Sequence, residues 1–339
     1  MHNLGPFELE TPFVLAPMAG ITNSPFRQLM RRVGASVVVS ELASANGLEY
    51  DSGRTRELLE FREGERPVGL QIFSERSELL VKAAQYIEKL GADFVDLNLG
   101  CPVSKIVKKG AGSVMCRNPV ELGKVLSAMV RAVKFPVTIK IRSGWNAESV
   151  NALEVVRVAE DVGITWVAIH ARTRAQGYSG EADWELIGNI KSKVKIPILG
   201  NGDINTPEKA VERLKTYAVD AVMIGRGALR NPFIFRQARE LLRTGSYAIA
   251  TADEYFALMD LQKKLLEMRS NARSALLQSK KFLIWYSAGF PHCKEFRQKT
   301  FSLTSFEEVW VYGREFFETH LEGRDFEFLK EDFLMGGHG

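Results

Sequence analysis

Short runs of apolar, β-branched residues recur every 25 to 45 positions, and each is followed by a stretch with helical periodicity. The runs that read as strands are Phe13–Ala16, Val37–Leu42, Val68–Phe73, Phe94–Asn98, Val137–Ile141, Trp166–His170, Ile196–Gly200 and Ala221–Gly225. Amphipathic segments lie between them, among them Glu78–Leu90, Pro119–Ala132, Ser149–Val162, Trp184–Ser192 and Pro207–Leu214. Eight strands alternating with helices predict βα units, a parallel sheet and a closed TIM-type (β/α)8 barrel of the α/β class. A doubly wound sheet competes with this, but no strand is followed by GxGxxG and no GxxxxGK[ST] occurs.

After about Gln237 the rhythm changes. No clear strand follows, Ala252–Leu276 and Leu277–Tyr286 read as helices, and Gly289-Phe290-Pro291-His292 interrupts the pattern. Arg243-Thr244-Gly245-Ser246 has the composition of a linker. The expected division is a barrel over 1–243 and a small all-helical domain over 244–339. A chain of 339 residues accommodates a barrel of about 250 residues and a smaller unit.

Composition adds limits. No apolar run approaches the roughly 18 to 20 residues of a membrane span, and the start lacks a basic segment followed by an apolar one, so neither a membrane anchor nor a secretory signal is expected. Cys101, Cys116 and Cys293 lie far apart, with no CxxC pair. That spacing argues against a disulfide framework or a metal site and for a reducing, cytoplasmic setting. The net charge of +4 is unevenly spread. Lys263, Lys264, Arg269, Arg273, Lys280, Lys281, Lys294, Arg297 and Lys299 face only two acids, Glu267 and Glu295, a local balance of +7. From Thr300 to Gly339 nine acids meet three bases, a balance of −6. The basic stretch is either a solvated helix face or a polyanion-binding surface.

In a barrel, alternate residues of each strand point inward, and chemistry gathers where strands run into the following loops. Val137, Ile139 and Ile141 share the parity that faces the helices, which turns Thr138, Lys140 and Arg142 inward. The same test turns Gln71, Asn98, His170 and Arg172 inward or to the rim. An interior lysine is costly unless neutralised. Lys140 therefore meets either Asp96 or Glu41 in an ion pair, or a bound anionic group. His170 alone reads as a core histidine; with Lys140 and Gln71 it reads as part of a site. Gly200-Asn201-Gly202-Asp203 and Gly225-Arg226-Gly227 follow the last two strands, where barrels often hold phosphate, although tight turns also call for glycine. Cys101, in Asn98-Leu99-Gly100-Cys101-Pro102, stands at the chemical end of the barrel, which favours an acid or a nucleophile over core filler. Cys116 and Cys293 read as small hydrophobes.

Taken in order, the motifs resemble the tRNA-dihydrouridine synthase family, in particular its bacterial DusB-like branch. The matching segments are Leu15-Ala16-Pro17-Met18-Ala19-Gly20-Ile21-Thr22, Gln71-Ile72-Phe73, Asn98-Leu99-Gly100-Cys101-Pro102 and Gly110-Ala111-Gly112-Ser113. They continue with Lys140-Ile141-Arg142-Ser143-Gly144-Trp145, His170-Ala171-Arg172-Thr173-Arg174, Gly200-Asn201-Gly202-Asp203-Ile204 and Met223-Ile224-Gly225-Arg226-Gly227. The resemblance covers residues 10 to about 240 and is looser in the helical tail. It implies FMN cradled by Pro17, Met18 and Ala19, with Gln71, Lys140 and His170 around the ring system. Asn201, Gly202, Asp203, Gly225 and Arg226 would hold the phosphate end. It further implies reduction by NADPH, or NADH, then hydride transfer to C6 of a tRNA uracil and protonation of C5 by Cys101. Asn98 and Arg142 fall where the family holds the uracil. Lys280, Lys281 and Arg297 are the expected RNA contacts of a monomer that needs no metal.

Three other readings share parts of this pattern. A flavin barrel acting on a free pyrimidine or an enone needs no basic second domain. A barrel that keeps RNA binding without catalysis, or a flavin-free phosphate-binding isomerase or aldolase, would be colourless. The segment from Glu307 onward, acidic and rich in Phe, has no obvious counterpart in the family; it either packs on the barrel or stays mobile.

Overall fold

The computed structural model describes residues 2–50, 52–268 and 271–321. Eight parallel strands follow one another around a barrel: β1 (Phe13–Leu15), β2 (Val38–Val39), β3 (Val68–Phe73), β4 (Phe94–Leu99), β5 (Val137–Arg142), β6 (Val167–His170), β7 (Ile198–Asn201) and β8 (Ala221–Ile224). Each ladder joins neighbours in sequence, and β8 pairs with β1. Between β1 and β2 the backbone closes the ring, with Leu15 N–H donating to Val37 O and Ser36 N–H to Phe13 O, both at 2.9 Å.

The strand expected over Val37–Leu42 is split. After Val39 the chain leaves the ladder, and Ala43–Ser44 rejoins β3 opposite Ile72 and Phe73. Ser40 causes the detour: its Oγ accepts from Gln71 N–H at 2.9 Å and donates to Glu41 O. A side chain takes the place of a backbone partner, as in a bulge. Unforeseen in the sequence pattern is an N-terminal hairpin, His2–Leu4 paired with Phe7–Leu9. It plugs the bottom of the barrel, where Leu4, Phe7 and Leu9 pack with Val14, Phe94, Trp166, Leu199 and Met223. The Phe94 and Trp166 rings meet edge to face at 4.8 Å.

Two apolar clusters divide along the expected parity. One fills the barrel's lower interior; the other holds Val137, Ile139, Ile141, Val167, Ile169 and the residues of the surrounding helices. Those helices begin where the sequence supplies an acceptor for their free N–H groups. Asn23 caps α1 (Ser24–Arg32), Asn118 caps α2 (Pro119–Ala132), Asp183 caps α3 (Trp184–Lys191) and Thr206 caps α4 (Pro207–Thr216). Three of the four carry Pro in the first turn, its preferred helical position.

The barrel is followed by α5 (Ile234–Thr244), which the sequence reading missed and which stops at left-handed Gly245. Four helices follow: α6 (Ala252–Glu267), α7 (Ala272–Tyr286), α8 (Cys293–Ser302) and α9 (Phe306–Leu321). The expected single helix over Ala252–Leu276 ends early, because Asn271 caps a new helix by accepting from Ser274 N–H at 3.0 Å. Up to Leu321 the acidic segment packs inward: α9 buries Val309, Trp310 and Phe317, and its Trp310 indole donates to Ser279 Oγ at 3.0 Å. Residues 322–339 and Arg269 lie outside the described residues. Among the described residues no helix is long and apolar enough to cross a membrane.

Gly69, on the interior face of β3, is required by the plug. A Cβ there would stand 2.0 Å from Cε2 of Phe94. Gly69→Ala is expected to destabilise the protein by about 1–3 kcal/mol, the usual cost of overpacking. Adding Phe94→Leu should recover part of that loss, so that a denaturant-unfolding cycle over the four variants gives a favourable coupling. Additive losses would mean that the ring and the glycine do not meet.

Candidate active site

The register of the central strands stacks polar side chains in the upper barrel. Gln71 lies beside Asp96 and Asp96 beside Thr138; one layer higher Asn98 lies beside Lys140, and Arg142 beside His170. The buried Asp96 carboxylate accepts from Gln71 Nε2 at 2.7 Å and from Thr138 Oγ at 2.6 Å. Gln71 Oε1 accepts from Asn98 Nδ2 at 2.9 Å, and Asn98 Oδ1 accepts from Cys101 N–H at 2.9 Å. One chain of hydrogen bonds therefore runs from the barrel core to the loop that carries Cys101. Burial raises the Asp96 pKa, while Gln71, Thr138 and the Lys140 charge pull it back.

Above this network opens a cavity of about 200 Å³. Its lining includes Pro17, Met18, Ala19, Gln71, Asn98, Cys101, Lys140, Arg142, His170 and Arg226, ten of the residues singled out from sequence. Lys140 makes no ion pair with Asp96 or Glu41: Asp96 is held by neutral donors, and the Glu41 carboxylate accepts from Gly20 N–H. Desolvation, then the Arg142 charge, push the Lys140 ammonium down to about 8. Desolvation and the charges of Lys140, Arg142, Arg172 and Arg226 hold His170 well below its ordinary pKa, so its imidazole is neutral at pH 7.

The Cys101 loop is braced from two sides. Ser113 Oγ donates to Cys101 O at 3.0 Å, and left-handed Gly112 lies so close that a Cβ there would stand 3.2 Å from the same oxygen. Burial raises the thiol pKa against the opposing pull of the Val103 N–H and Arg142. The side chain is thus a protonated thiol at neutral pH. Cys116 is buried, its thiol pushed up to about 12, as befits core filler.

Arg142 is tied to three carbonyls, Gly100 at 3.0 Å, Thr173 at 3.0 Å and Gly177 at 2.7 Å. These bonds fix the loop beyond β6, and that loop delivers a residue the sequence reading missed. Tyr178 lines the cavity, with the Arg142 and Arg226 guanidiniums 5.6 and 4.7 Å from its ring centre. Leu42, Ile21 and Ile106 also join the wall. Tyr178 lies eight positions past β6 in an irregular loop, so no periodicity marked it.

Other expected site residues take different places. Asn201, Gly202, Asp203 and Gly225 are not part of the cavity lining. Asn201 Nδ2 donates to Met223 O at 2.7 Å, and Asp203 accepts from Arg172 Nη1 and Ala182 N–H, both at 2.8 Å. Asp203 thus organises the rim through Arg172. Gly200 and Gly227 are explained by packing, since a Cβ would strike the Trp184 ring in one case and Ile204 O in the other. The assignment of Lys280 to an RNA surface is corrected by its environment. Only 8% of it is exposed, and its ammonium donates to Phe301 O at 3.0 Å, closing the end of α8. Lys263 is engaged by Glu307 at 2.7 Å. Lys281 and Arg297 are exposed. Lys281 Nζ reaches to 3.5 Å from Gly20 O, at the cavity-lining loop after β1. Among the described residues no three His, Cys, Asp or Glu side chains form a metal-binding group.

Comparison with known proteins gives a consistent picture. A dihydrouridine synthase (Dus) family model matches residues 14–320. The tRNA-dihydrouridine synthase B of Pseudomonas aeruginosa is 39% identical over 320 residues, covering 93% of this chain and 95% of that protein. The protein of the same name from Shewanella oneidensis is 39% identical over 285 residues, 84% of this chain and 88% of its own length. Among solved structures, histamine dehydrogenase from Rhizobium sp. 4-9 superposes with a TM-score of 0.54 at 14% identity over 76% of this chain. This chain spans about half of that structure, 50%, and the likeness is one of fold.

The Lys140 pKa of about 8 carries a pH signature. Below it the ammonium is charged and attracts an anionic ligand; above it the attraction is lost. Affinity for an anionic ligand, with FMN as the probe and titrated by fluorescence from pH 6 to 10, is expected to hold below pH 8. Above pH 8 it should fall by at most about tenfold per unit, one proton being coupled. Lys140→Met should bind more weakly and without this dependence. A flat profile in the unaltered protein would mean that the ammonium does not meet the ligand.

Proposed function

Since the chain belongs to the dihydrouridine synthase family, we propose that it reduces the C5–C6 double bond of uridine in tRNA, with FMN in the barrel mouth and Cys101 as the proton donor. The observation that carries this reading is the thiol of Cys101. Burial keeps it protonated, and its loop forms one wall of a cavity whose floor is Gln71, Asn98 and Lys140.

The residues present fit a flavin. Lys140 lines the cavity without an ion-pair partner among the described residues, and His170 is neutral. Together with Gln71 they offer donors to the polar edge of a ring, while Pro17, Met18 and Ala19 offer an apolar wall. Arg226, beside the glycine-bearing loops after β7 and β8, suits a phosphate. Asn201, Gly202 and Gly225 would contribute through their backbone, and Asp203 by holding Arg172. Bound there, FMN supplies the hydride that C6 receives, with NADPH or NADH as the electron source.

The chain's own residues then divide the remaining work. Cys101 gives its proton to C5 and recovers one from solvent; a thiolate in its place would have nothing to give. Asn98, already turned toward the cavity by its bonds to Gln71 and Cys101, faces the base. Arg142, fixed by three carbonyls, keeps the Tyr178 loop in place beside it. The target base must leave the RNA stack to enter the cavity. We take residues 1–243 as the catalytic barrel and 244–339 as the RNA-binding unit, with Lys264, Arg273, Lys281, Lys294, Arg297 and Lys299 as its exposed cations.

Cys101→Ala is expected to keep flavin and tRNA binding while dihydrouridine formation, read by mass spectrometry of tRNA, falls by about 10²-fold or more. Undiminished formation would place the acid elsewhere. Lys281→Glu with Arg297→Glu should weaken tRNA binding and flatten its salt dependence. Unchanged binding would remove the helical unit from the interface.

A further inference from the structure

The loop that carries Cys101 has a second face. From Cys101 to Asn118 it contains Lys105, Lys108, Lys109 and Arg117 and no acid. All four are exposed. Among the described residues none of them has a carboxylate partner. Some surface lysines are neutralised, among them Lys82, Lys124, Lys191 and Lys263, each of which meets a carboxylate at 2.6 to 2.8 Å. In this loop no acid of its own offsets the four cations.

Its position gives the charge a use. Cys101, Pro102, Val103 and Ile106 line the cavity, so the same short segment forms the cavity wall and carries the cations outside it. Arg117 extends the arc: its guanidinium lies 4.9 Å from the Trp145 ring centre, and that of Arg174 lies 4.7 Å from the same ring. In the ring of strands β4 stands opposite β8, which adjoins β1, the side where Lys281 reaches Gly20.

We propose that the loop over residues 103–117 is a second RNA-contacting surface, which binds the phosphates flanking the extruded nucleotide from the side opposite the helical unit. The inference rests on the tRNA-reducing reading above. A base that enters the cavity stays attached to its sugar, so both of its phosphates are drawn to the rim. Exposed lysines act there as point-charge partners. The helical unit alone is a thinner clamp than its sequence suggests, because Lys280 is buried and Lys263 is neutralised.

The test uses the full-length, flavin-loaded protein and an unmodified tRNA transcript, with Kd measured by fluorescence anisotropy over a range of KCl concentrations. Replacing Lys105, Lys108 and Lys109 together by Gln is expected to weaken binding about tenfold or more at low salt. The slope of log K against log salt should fall by about 2, from three lost single-strand phosphate contacts. Arg at the same positions should restore both quantities, and Lys124→Gln, at an ion-paired surface lysine, should change neither. Flavin absorbance and the circular dichroism spectrum report that the triple variant is folded. An affinity and slope equal to the unaltered protein's would overturn the inference while leaving the proposed reaction standing. Failure of the unaltered protein to bind tRNA overturns the reading beneath it, and this inference with it.

Discussion

A carboxylate at the centre of a barrel is a problem that must be solved before anything above it can be arranged. Asp96 is buried, which raises its pKa, while Gln71 and Thr138, donating to it at 2.7 and 2.6 Å, satisfy its oxygens and pull the pKa back. That solution commits the Gln71 amide nitrogen downward and leaves its oxygen upward for Asn98, whose own oxygen then accepts from Cys101 N–H. The orientation of the Cys101 loop is thus set by a buried carboxyl group two layers below it. Members of such a chain are not independent, since loss of one leaves the next unsatisfied in a low-dielectric interior.

The lower barrel makes this arrangement one-sided. Phe94 and Trp166, covered by the N-terminal hairpin, close the barrel from below, and the cavity lies above them. Four cations converge there, Lys140, Arg142, Arg172 and Arg226, and Asp203 pairs with Arg172. Burial and the surplus of positive charge push Lys140 and His170 the same way and oppose each other at Cys101, where burial prevails. They depress Lys140, keep His170 neutral and leave Cys101 protonated where an exposed thiol among cations would ionise more readily. A site of this kind attracts anionic ligands while holding a weak acid in its acid form. Both properties suit the protonation of carbon proposed for Cys101.

Arginines in this protein serve as struts as often as contacts. Arg142 spends its donors on three carbonyls and Arg172 braces Asp203. Below the rim, Arg27 meets Glu65 at 2.6 Å and donates to the carbonyls of Thr22 and Glu60. A planar guanidinium can satisfy several carbonyls at once, which suits it to fixing irregular loops that have no ladder of their own. The cavity wall is built from such loops, so its shape depends on these donors.

What the sequence determined by itself is whatever depends on a residue and its near neighbours. Strand and helix positions followed from local periodicity, and parity along β5 and β6 correctly divided Val137, Ile139 and Ile141 from Thr138, Lys140 and Arg142, because alternation is a property of one strand. The ordered motifs likewise marked Cys101, Lys140 and His170, which do line one cavity. Tertiary structure alone decided matters that turn on distant partners. Ser40 replaces a ladder bond to β3 and splits a strand that looks continuous; Asn271 caps a helix within a run of good helix formers. Lys280 is indistinguishable from Lys281 by composition, yet one closes the end of α8 and the other reaches the barrel mouth. A charge's role depends on what the fold sets opposite it, and Tyr178 joins the wall only because Arg142 holds its loop there.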